Sequence, residues 1–329
     1  GNNSGVSELL RTELEENLRR GEQSILFLNR RGNSRMALCS QCGEVPTCPR
    51  CSVHLTYHSA NNRLMCHYCG FSQPVPERCP ACGGPLKTIG TGIQKVQEEL
   101  EFLFPDMETD RMDADTVSAV NTHEKILEHF QKENVPVLLG TQMVAKGLNL
   151  PNVTLVGVLD ADLSLYTGGY LAGETTFNML TQVVGRAGRG DSAGRAVIQT
   201  LQPEHQVIGL AAKQDYPDFY SGEIAYRKLN MYPPFCTLIT VAFTHYNRAV
   251  CAKDAKTYLD IIKKMSTPEI PLICLGPVPF DVEMVNKNYR WRLSIKCRNN
   301  QRFRDFLNSV TERYLKDKNN KSSVYINVN

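Results

Sequence analysis

The sequence lacks the features that mark membrane and secreted proteins. Its apolar runs are all far shorter than a membrane span, and its first residues do not follow a signal-peptide pattern. We therefore expect a cytoplasmic protein with no membrane partner. A strong net charge is also missing, because 37 Lys and Arg oppose 34 Asp and Glu in 329 residues, a formal charge of +3. A nucleic-acid partner would therefore need a local basic surface.

Cysteine, in contrast, is abundant, with 12 residues. A C-x-x-C turn places two thiolates on one side of a tight loop and so supplies half of a tetrahedral zinc site. A disulfide cluster would require an oxidising compartment, for which the sequence gives no support. Eight cysteines form four such pairs: Cys39 and Cys42, Cys48 and Cys51, Cys66 and Cys69, Cys79 and Cys82. The other four are isolated and are interpreted as core residues: Cys236, Cys251, Cys274 and Cys297.

The spacing of the pairs favours two nested zinc sites. Only residues 43–47 separate the first pair from the second, whereas residues 52–65 separate the second from the third, close to the usual spacing of zinc ribbons. We predict one zinc on the outer pairs (Cys39, Cys42, Cys79, Cys82) and one on the inner pairs (Cys48, Cys51, Cys66, Cys69). Both ions would be structural, because no ligand position is left open for water. Nesting also brings the ends of the module together, as an insertion requires.

Around this module, apolar segments alternate between strand and helix patterns. The alternation predicts an α/β domain with a mostly parallel sheet covered on both faces. The predicted strands are 24–28, 135–139, 153–159 and 195–200, and the predicted helices surround Leu10 to Leu18, 93–103, 123–131 and 174–185.

The last hundred residues have a different pattern. Strands at 238–243, 271–276, 289–296 and 324–328 and helices at 249–265 and 303–315 give the order β-α-β-β-α-β, which suggests an α+β ferredoxin-like domain. Alternation along 289–296 favours Tyr289 and Trp291 as core residues, although basic and aromatic residues together can also clamp a nucleic acid. Arg290 and Arg292 would then face outward as candidate DNA contacts.

Three loops carry residues suited to phosphate binding. Gly140-Thr141-Gln142 follows a predicted strand and leads to Lys146, and Gly90-Thr91-Gly92 opens a helix whose free N–H groups could hold a phosphate. Most distinctive is Gln182-Val-Val-Gly-Arg186-Ala-Gly-Arg189. Its two guanidinium groups suit a triphosphate, but a basic helix end closed by glycine is an equally good interpretation of this motif alone.

Taken together, these motifs resemble a known family. Gln182-x-x-Gly185-Arg186-x-Gly188-Arg189 resembles motif VI of superfamily 2 helicases, Gly140-Thr-Gln-Met-x-x-Lys146-Gly147 resembles motif V, and Ile25-Leu-Phe-Leu-Asn-Arg-Arg-Gly32 resembles motif IV. With four C-x-x-C pairs between motifs IV and V, the whole chain resembles the PriA family of primosomal replication-restart helicases (primosomal protein N′).

The resemblance implies a fold, an activity and partners. The fold would be a RecA-like helicase lobe 2 (residues 1–38 and 84–225), an inserted two-zinc module (39–83) and a C-terminal DNA- and partner-binding domain (226–329). The activity would be ATP-dependent 3′-to-5′ DNA unwinding that restarts stalled or branched replication forks. Mg²⁺ would accompany ATP, and the partners would be branched and single-stranded DNA, single-stranded-DNA-binding protein, and primosome and helicase-loading proteins. The setting would be the cytoplasm of a bacterium, at the nucleoid.

The resemblance also implies residue roles. Arg186 and Arg189 would reach the nucleotide phosphates as arginine fingers, with Gln182 coupling the nucleotide and DNA sites, and Thr141 would hold a backbone phosphate of the tracked strand. The sequence contains neither a Walker A motif nor an acidic motif II, so we expect this chain alone to lack appreciable ATPase activity. It would correspond to the C-terminal half of the enzyme.

Two points leave alternatives open. Relatives usually carry a D-[YF]-R-A-x-E-R run before motif VI, whereas residues 169–175 here read Gly-Tyr-Leu-Ala-Gly-Glu-Thr and lack the first acid and both arginines. These charges either support DNA or nucleotide contacts or belong to a surface loop. The second alternative is a non-enzymatic zinc scaffold for DNA or proteins, which would have no use for motif VI.

Overall fold

The computed structural model describes residues 5–28, 36–49, 54–58, 62–66, 69–89, 93–112, 122–141, 150–166, 169–185, 187 and 194–328. The helices are α1 Glu8–Arg19, α2 Ile93–Leu103, α3 Thr122–Lys132, α4 Asp162–Tyr166, α5 Ala172–Val184, α6 Gln206–Lys213, α7 Tyr216–Leu229, α8 Arg248–Met265 and α9 Gln301–Lys316. The strands are β1 Gln23–Leu28, β2 Met36–Cys39, β3 Thr56–His58, β4 Arg63–Met65, β5 Ser72–Pro74, β6 Leu86–Ile89, β7 Thr109–Met112, β8 Val137–Gly140, β9 Val153–Leu159, β10 Arg195–Ile198, β11 Thr237–His245, β12 Leu272–Val285, β13 Asn288–Cys297 and β14 Ser323–Val328.

The chain forms two compact units, and each contains one large sheet. The first unit comprises residues 1–45 and 76–221, and the second comprises residues 46–75 and 222–329. The sheet of the first unit has the order β10-β9-β1-β8-β7, and all four of its strand pairs are parallel. The prediction of a parallel α/β lobe is therefore confirmed.

The central strand β1 explains how this lobe is covered on both faces. All six of its residues are buried, as expected for a parallel strand between two helical layers. Ile25 and Phe27 point into one apolar cluster, shared with α3 and α5, whereas Leu26 and Leu28 point into another, shared with α1 and α2. The alternation of side chains along a strand thus builds two cores from one six-residue segment.

Helix α1 has the limits that its sequence predicts. The Ser7 hydroxyl accepts a hydrogen bond from the N–H of Leu10 at 3.3 Å, which caps the first turn. Leu10 and Leu14 are fully buried one turn apart, and Gly21 ends the segment with φ +66°.

The sheet of the second unit is antiparallel, with the order β12-β13-β11-β14. With α8 and α9 between the strands, the order along the chain is β-α-β-β-α-β, and the ferredoxin-like prediction is confirmed. Both helices pack against one face, on a core that includes Val241, Phe243, Leu293 and Ile295. Tyr289 and Trp291 pack against that core, as strand alternation predicts.

The cysteine-rich segment is divided between the two units. Strands β2 and β6 pair antiparallel in the first unit and bring residues 36–39 beside 86–89, so the ends of the insertion meet. Strands β3, β4 and β5 form a small antiparallel sheet in the second unit. The predicted boundary at 225–226 falls inside α7.

Sequence periodicity did not predict several elements. Strand β7 reads Thr-Asp-Arg-Met and lies at an edge of the parallel sheet with three of its four residues only partly buried, so it has no apolar run to recognise. Helices α4, α6 and α7 were also not predicted. Within the described residues, every helix is too short or too polar to cross a membrane.

Candidate metal centres and motor motifs

The outer cysteine pairs form a compact four-sulfur cluster. The sulfur atoms of Cys39, Cys42, Cys79 and Cys82 all lie within 4.8 Å of one another. Cys39 Sγ is 3.5 Å from Cys82 Sγ, and Cys42 Sγ is 3.6 Å from Cys79 Sγ. A tetrahedral zinc ion with bonds of about 2.3 Å would hold its sulfurs about 3.8 Å apart, whereas a disulfide would need about 2 Å. The cluster therefore has the dimensions of a zinc site.

The inner pairs form a second cluster of the same kind. Cys48, Cys66 and Cys69 group together, with Cys48 Sγ 3.5 Å from Cys69 Sγ. Cys51, the fourth predicted ligand, lies outside the described residues. The grouping follows the nested order, with the first pair joined to the fourth and the second to the third.

Three of the four pairs share one backbone turn. In each, a glycine after the second cysteine donates its N–H to the carbonyl of the first at 2.9 Å, with φ between +74° and +76°. A positive φ explains the need for glycine there. These glycines are Gly43, Gly70 and Gly83.

The thiols of the outer cluster differ in their affinity for protons. The backbone N–H of Cys42, helped by that of Gln41, lowers the pKa of Cys39 to about 6. For Cys42, the N–H of Glu44 lowers the pKa, but the Cys82 thiol, burial and the other two cysteines together raise it to about 12. A thiolate therefore forms more readily at Cys39 than at Cys42, and a nearby cation would favour the deprotonated form of both.

Each cluster is packed against its own unit through a turn glycine. A Cβ added at Gly43 would lie 2.8 Å from the side chain of Gln202, whose Nε2 donates to the Gly43 carbonyl at 2.6 Å and to the Tyr166 hydroxyl. A Cβ added at Gly70 would lie 2.7 Å from Cγ1 of Val278 on β12. These partners are distant in sequence, and no sequence pattern predicts the contacts.

Only some residues of the predicted motor motifs lie within the part of the chain that the structure describes. Thr141 follows β8 between β1 and β7 in the sheet order, is half-buried, and donates its N–H to the Met112 carbonyl at 3.2 Å. Gln182 lies in the last turn of α5 with its side chain exposed, while the adjacent Val183 is in the core. The altered segment, residues 169–175, begins as a 3₁₀ helix, Gly169–Leu171, with Tyr170 buried, and continues into the start of α5. The other predicted motif residues lie outside the described residues: Gly90, Thr91, Gln142, Lys146, Arg186 and Arg189.

The predicted arginines of β13 lie on the sheet face opposite α8 and α9. Arg290 and Arg292 both stack on the ring of Phe280, with Cζ 4.4 and 5.2 Å from its centroid. Lys296, on the same face, lies 3.7 Å from the Tyr232 ring centroid and donates to the Asn230 carbonyl. The two stacked guanidinium groups are partly exposed and form a cationic surface.

Charge is distributed unevenly along the chain. Residues 228–329 contain 17 Lys and Arg against 8 Asp and Glu, a formal charge of +9, and the rest of the chain is therefore at −6. The small net charge of the whole chain thus conceals a basic C-terminal segment, the local positive charge that a nucleic-acid partner requires.

Comparisons with known proteins agree with this geometry. Family models match in order along the chain: the PriA DNA helicase Cys-rich region at residues 48–74, the helicase conserved C-terminal domain at 90–191, and the primosomal protein N C-terminal domain at 228–329. The chain therefore contains a helicase C-terminal lobe with a cysteine-rich insertion.

Similar curated proteins identify the helicase family to which this lobe belongs. The replication restart protein PriA of Bacillus subtilis is 41% identical over 318 residues, which are 96% of this chain and 39% of that protein. That of Synechocystis is 38% identical over 90% of this chain and 36% of its own length. The chain belongs to the PriA family and spans about two fifths of the length of these relatives. Among solved structures, the C-terminal domain of the DEAD-box protein Dbp5 matches 68% of this chain and 94% of its own, at 14% identity and a TM-score of 0.33.

Proposed function

We propose that this chain supplies the second motor lobe, the zinc module and the C-terminal domain of an ATP-dependent 3′-to-5′ DNA helicase. The helicase would act at stalled or branched forks and begin primosome assembly for replication restart. The observation that carries the proposal is the order of the three PriA and helicase matches along one chain. It is supported by the position of Thr141, in the segment that resembles motif V, directly after β8.

In this proposal the nucleotide site is shared with a lobe that carries Walker A and motif II. Bound ATP with Mg²⁺ would supply the phosphoryl-transfer chemistry. Arg186 and Arg189 would bind its phosphate oxygens, and Gln182, exposed at the end of α5, would connect that site to the DNA. Thr141, Gln142 and Lys146 would contact the tracked strand.

The remaining loops and the basic C-terminal segment would hold more DNA. Gly90 and Thr91, before α2, would bind a backbone phosphate through free N–H groups. Arg290 and Arg292 would contact phosphates through the cationic surface beside Phe280. Single-stranded-DNA-binding protein and primosome or helicase-loading proteins would be the protein partners, in the bacterial cytoplasm at the nucleoid.

The two zinc ions would be structural, one in each cysteine cluster. The outer ion would bind Cys39, Cys42, Cys79 and Cys82, and the inner ion Cys48, Cys51, Cys66 and Cys69. Sulfur separations of 3.5 and 3.6 Å support this assignment. Because the segment has a small apolar core, the metal would contribute most of its folding energy.

The experiment joins this chain to a Walker A-bearing lobe from a family relative and measures DNA-stimulated ATP hydrolysis. Arg189→Ala should lower the maximal rate about 10³-fold or more, the effect expected of an arginine finger. Arg19→Ala, at an exposed position on α1, is the matched control and should leave the rate unchanged. An unchanged rate in Arg189→Ala would overturn the motor proposal and favour a zinc scaffold.

A further inference from the structure

An aromatic pair, with Tyr246 exposed and His245 half-buried, lies at one end of the ferredoxin-like sheet. Tyr246 follows the last residue of β11 and is 74% exposed. Its ring lies over that of His245, with the centroids 4.3 Å apart and the planes at 30°. An aromatic ring so exposed gains little from the protein interior, but its free face is available to a ligand.

Local hydrogen bonds hold this pair in place. The N–H of Asn247 donates to His245 Nδ1 at 3.0 Å. Asn247 also caps α8, since its Oδ1 accepts from the N–H groups of Ala249 at 2.9 Å and Val250 at 3.2 Å. The loop that carries Tyr246 is therefore fixed at both ends, and a ligand would pay little to order it.

Exposed lysines lie on both sides of the pair. Strand β11 is between β13 and β14 in the sheet. On one side, His245 is paired with Tyr289, so the hairpin turn at Asn286-Lys287 is adjacent. Both turn residues have positive φ, +49° and +62°, as a tight two-residue hairpin requires.

On the other side, Thr244 is paired with Ser323, which places Lys321 next to the end of β11. The main chain there is fixed, because the N–H groups of Lys321 and Ser322 both donate to the buried Asp254, at 2.9 and 2.8 Å. The lysine side chains at 287 and 321 are exposed. Since neighbouring strands are about 4.8 Å apart, the register places the main chain of Lys287 on one side of the end of β11 and that of Lys321 on the other.

Nearby acids already have partners. Glu283 on β12 pairs with Arg248 at the start of α8 at 2.5 Å. Asp317, at the end of α9, accepts the N–H of Asn319 at 2.9 Å, and a further exposed lysine, Lys318, lies next to it. This end of the domain is therefore basic around an aromatic ring.

From this geometry we infer that Tyr246 is a base-stacking platform for single-stranded nucleic acid, with Lys287 and Lys321 binding the adjacent phosphates. A flat ring takes any base on its face, and the flanking ammonium groups complement a polyanion. The site is distinct from the Arg290 and Arg292 surface, which lies on the face of the sheet. The inference rests on the proposed function in one respect, which is that the natural ligand is single-stranded DNA. It requires no motor activity.

The test is the affinity of the 329-residue chain for a fluorescein-labelled thymidine oligonucleotide, measured by anisotropy. Tyr246→Ala should weaken binding about 5- to 150-fold, the range found for loss of one base–aromatic stack. Tyr246→Phe keeps the ring and should bind like the parent. Tyr220→Ala, on α7 in the first unit and 51% exposed, is the matched control and should have no effect.

The lysines are tested by salt dependence. Lys287→Gln and Lys321→Gln should each reduce the slope of log affinity against log salt by about 0.7, the value for one phosphate contact on a single strand. Photocrosslinking with a 5-iodouracil oligonucleotide should label the peptide that contains Tyr246. Unchanged affinity in Tyr246→Ala, or crosslinks confined to other peptides, would overturn the inference.

Two further outcomes distinguish this inference from an acidic-peptide site and from the motor proposal. If Tyr246→Ala leaves oligonucleotide binding intact but abolishes binding of a polyglutamate peptide, the surface is for an acidic protein segment and the inference is wrong. If the tyrosine effect appears while Arg189→Ala leaves ATP hydrolysis of the lobe-joined protein unchanged, the platform stands and the motor proposal fails.

Discussion

The contact between the inner cysteine turn and β12 allows the effect of Gly70→Ala on the free energy of unfolding to be predicted. Gly70 has φ +76°, and a Cβ there would lie 2.7 Å from Val278 Cγ1, which belongs to a buried side chain. A non-glycine residue in the left-handed region costs about 1–2 kcal/mol, and an extra methyl in a packed contact costs about 1–3 kcal/mol. Gly70→Ala should therefore reduce the free energy of unfolding of the second unit by about 2–5 kcal/mol.

Gly83→Ala is the matched control, because Gly83 has φ +74° in the same turn but has open space where a Cβ would lie. It should cost the first unit, to which Gly83 belongs, only the conformational part, about 1–2 kcal/mol. Urea unfolding followed by circular dichroism, with bound metal measured in parallel, gives both values.

A double-mutant cycle isolates the contact itself. In a Val278→Ala background the methyl that Gly70→Ala meets is gone, so the added cost of Gly70→Ala should fall to the level of the control. If Gly70→Ala is as mild as Gly83→Ala, or if Val278→Ala does not reduce its cost, the inner turn does not pack on β12 and the reasoning is refuted.

Two other predictions concern metal and protons. Cys66→Ser should lower the zinc content measured by mass spectrometry from two ions per chain to one, whereas Cys297→Ser, at an isolated buried cysteine, should leave two. The Asp110 carboxylate, 3.1 Å from His129 Nδ1, raises the pKa of that histidine above 6.5. The pair's stabilisation should therefore be fully present below pH 6.5 and be lost as the pH rises through the folded pKa. NMR titration of Asp110→Asn should show a His129 pKa lowered towards its ordinary value, and an unchanged pKa would contradict this.

Sequence patterns predicted those parts of the fold that depend on neighbours along the chain. The cap at Ser7, the buried run at 24–28 and the alternation along 289–296 are local, and the structure reproduces them. The cysteines group in the nested order that their spacing favours, because the loop at residues 43–47 is short for joining the first two pairs into one site. Strand β7 was missed because an edge strand with polar residues has no such pattern.

The contacts that position the candidate site could not be predicted in this way. Gln202 bonds to Gly43 across 159 positions, and Val278 meets Gly70 across 208. A single sequence carries no signal for pairs so far apart. The roles of Arg186 and Arg189 rest on the motif that they share with helicases, and they remain predictions.

Strand displacement by this chain joined to a Walker A-bearing lobe tests directly whether the chain is the second motor lobe of a 3′-to-5′ helicase. The substrates are two duplexes that differ only in whether the single-stranded tail is 3′ or 5′. We expect ATP-dependent unwinding of the duplex with the 3′ tail, and we expect it to be lost in the variant that replaces both Arg186 and Arg189 with alanine. Unwinding that is independent of these arginines, or that requires the 5′ tail, would contradict it.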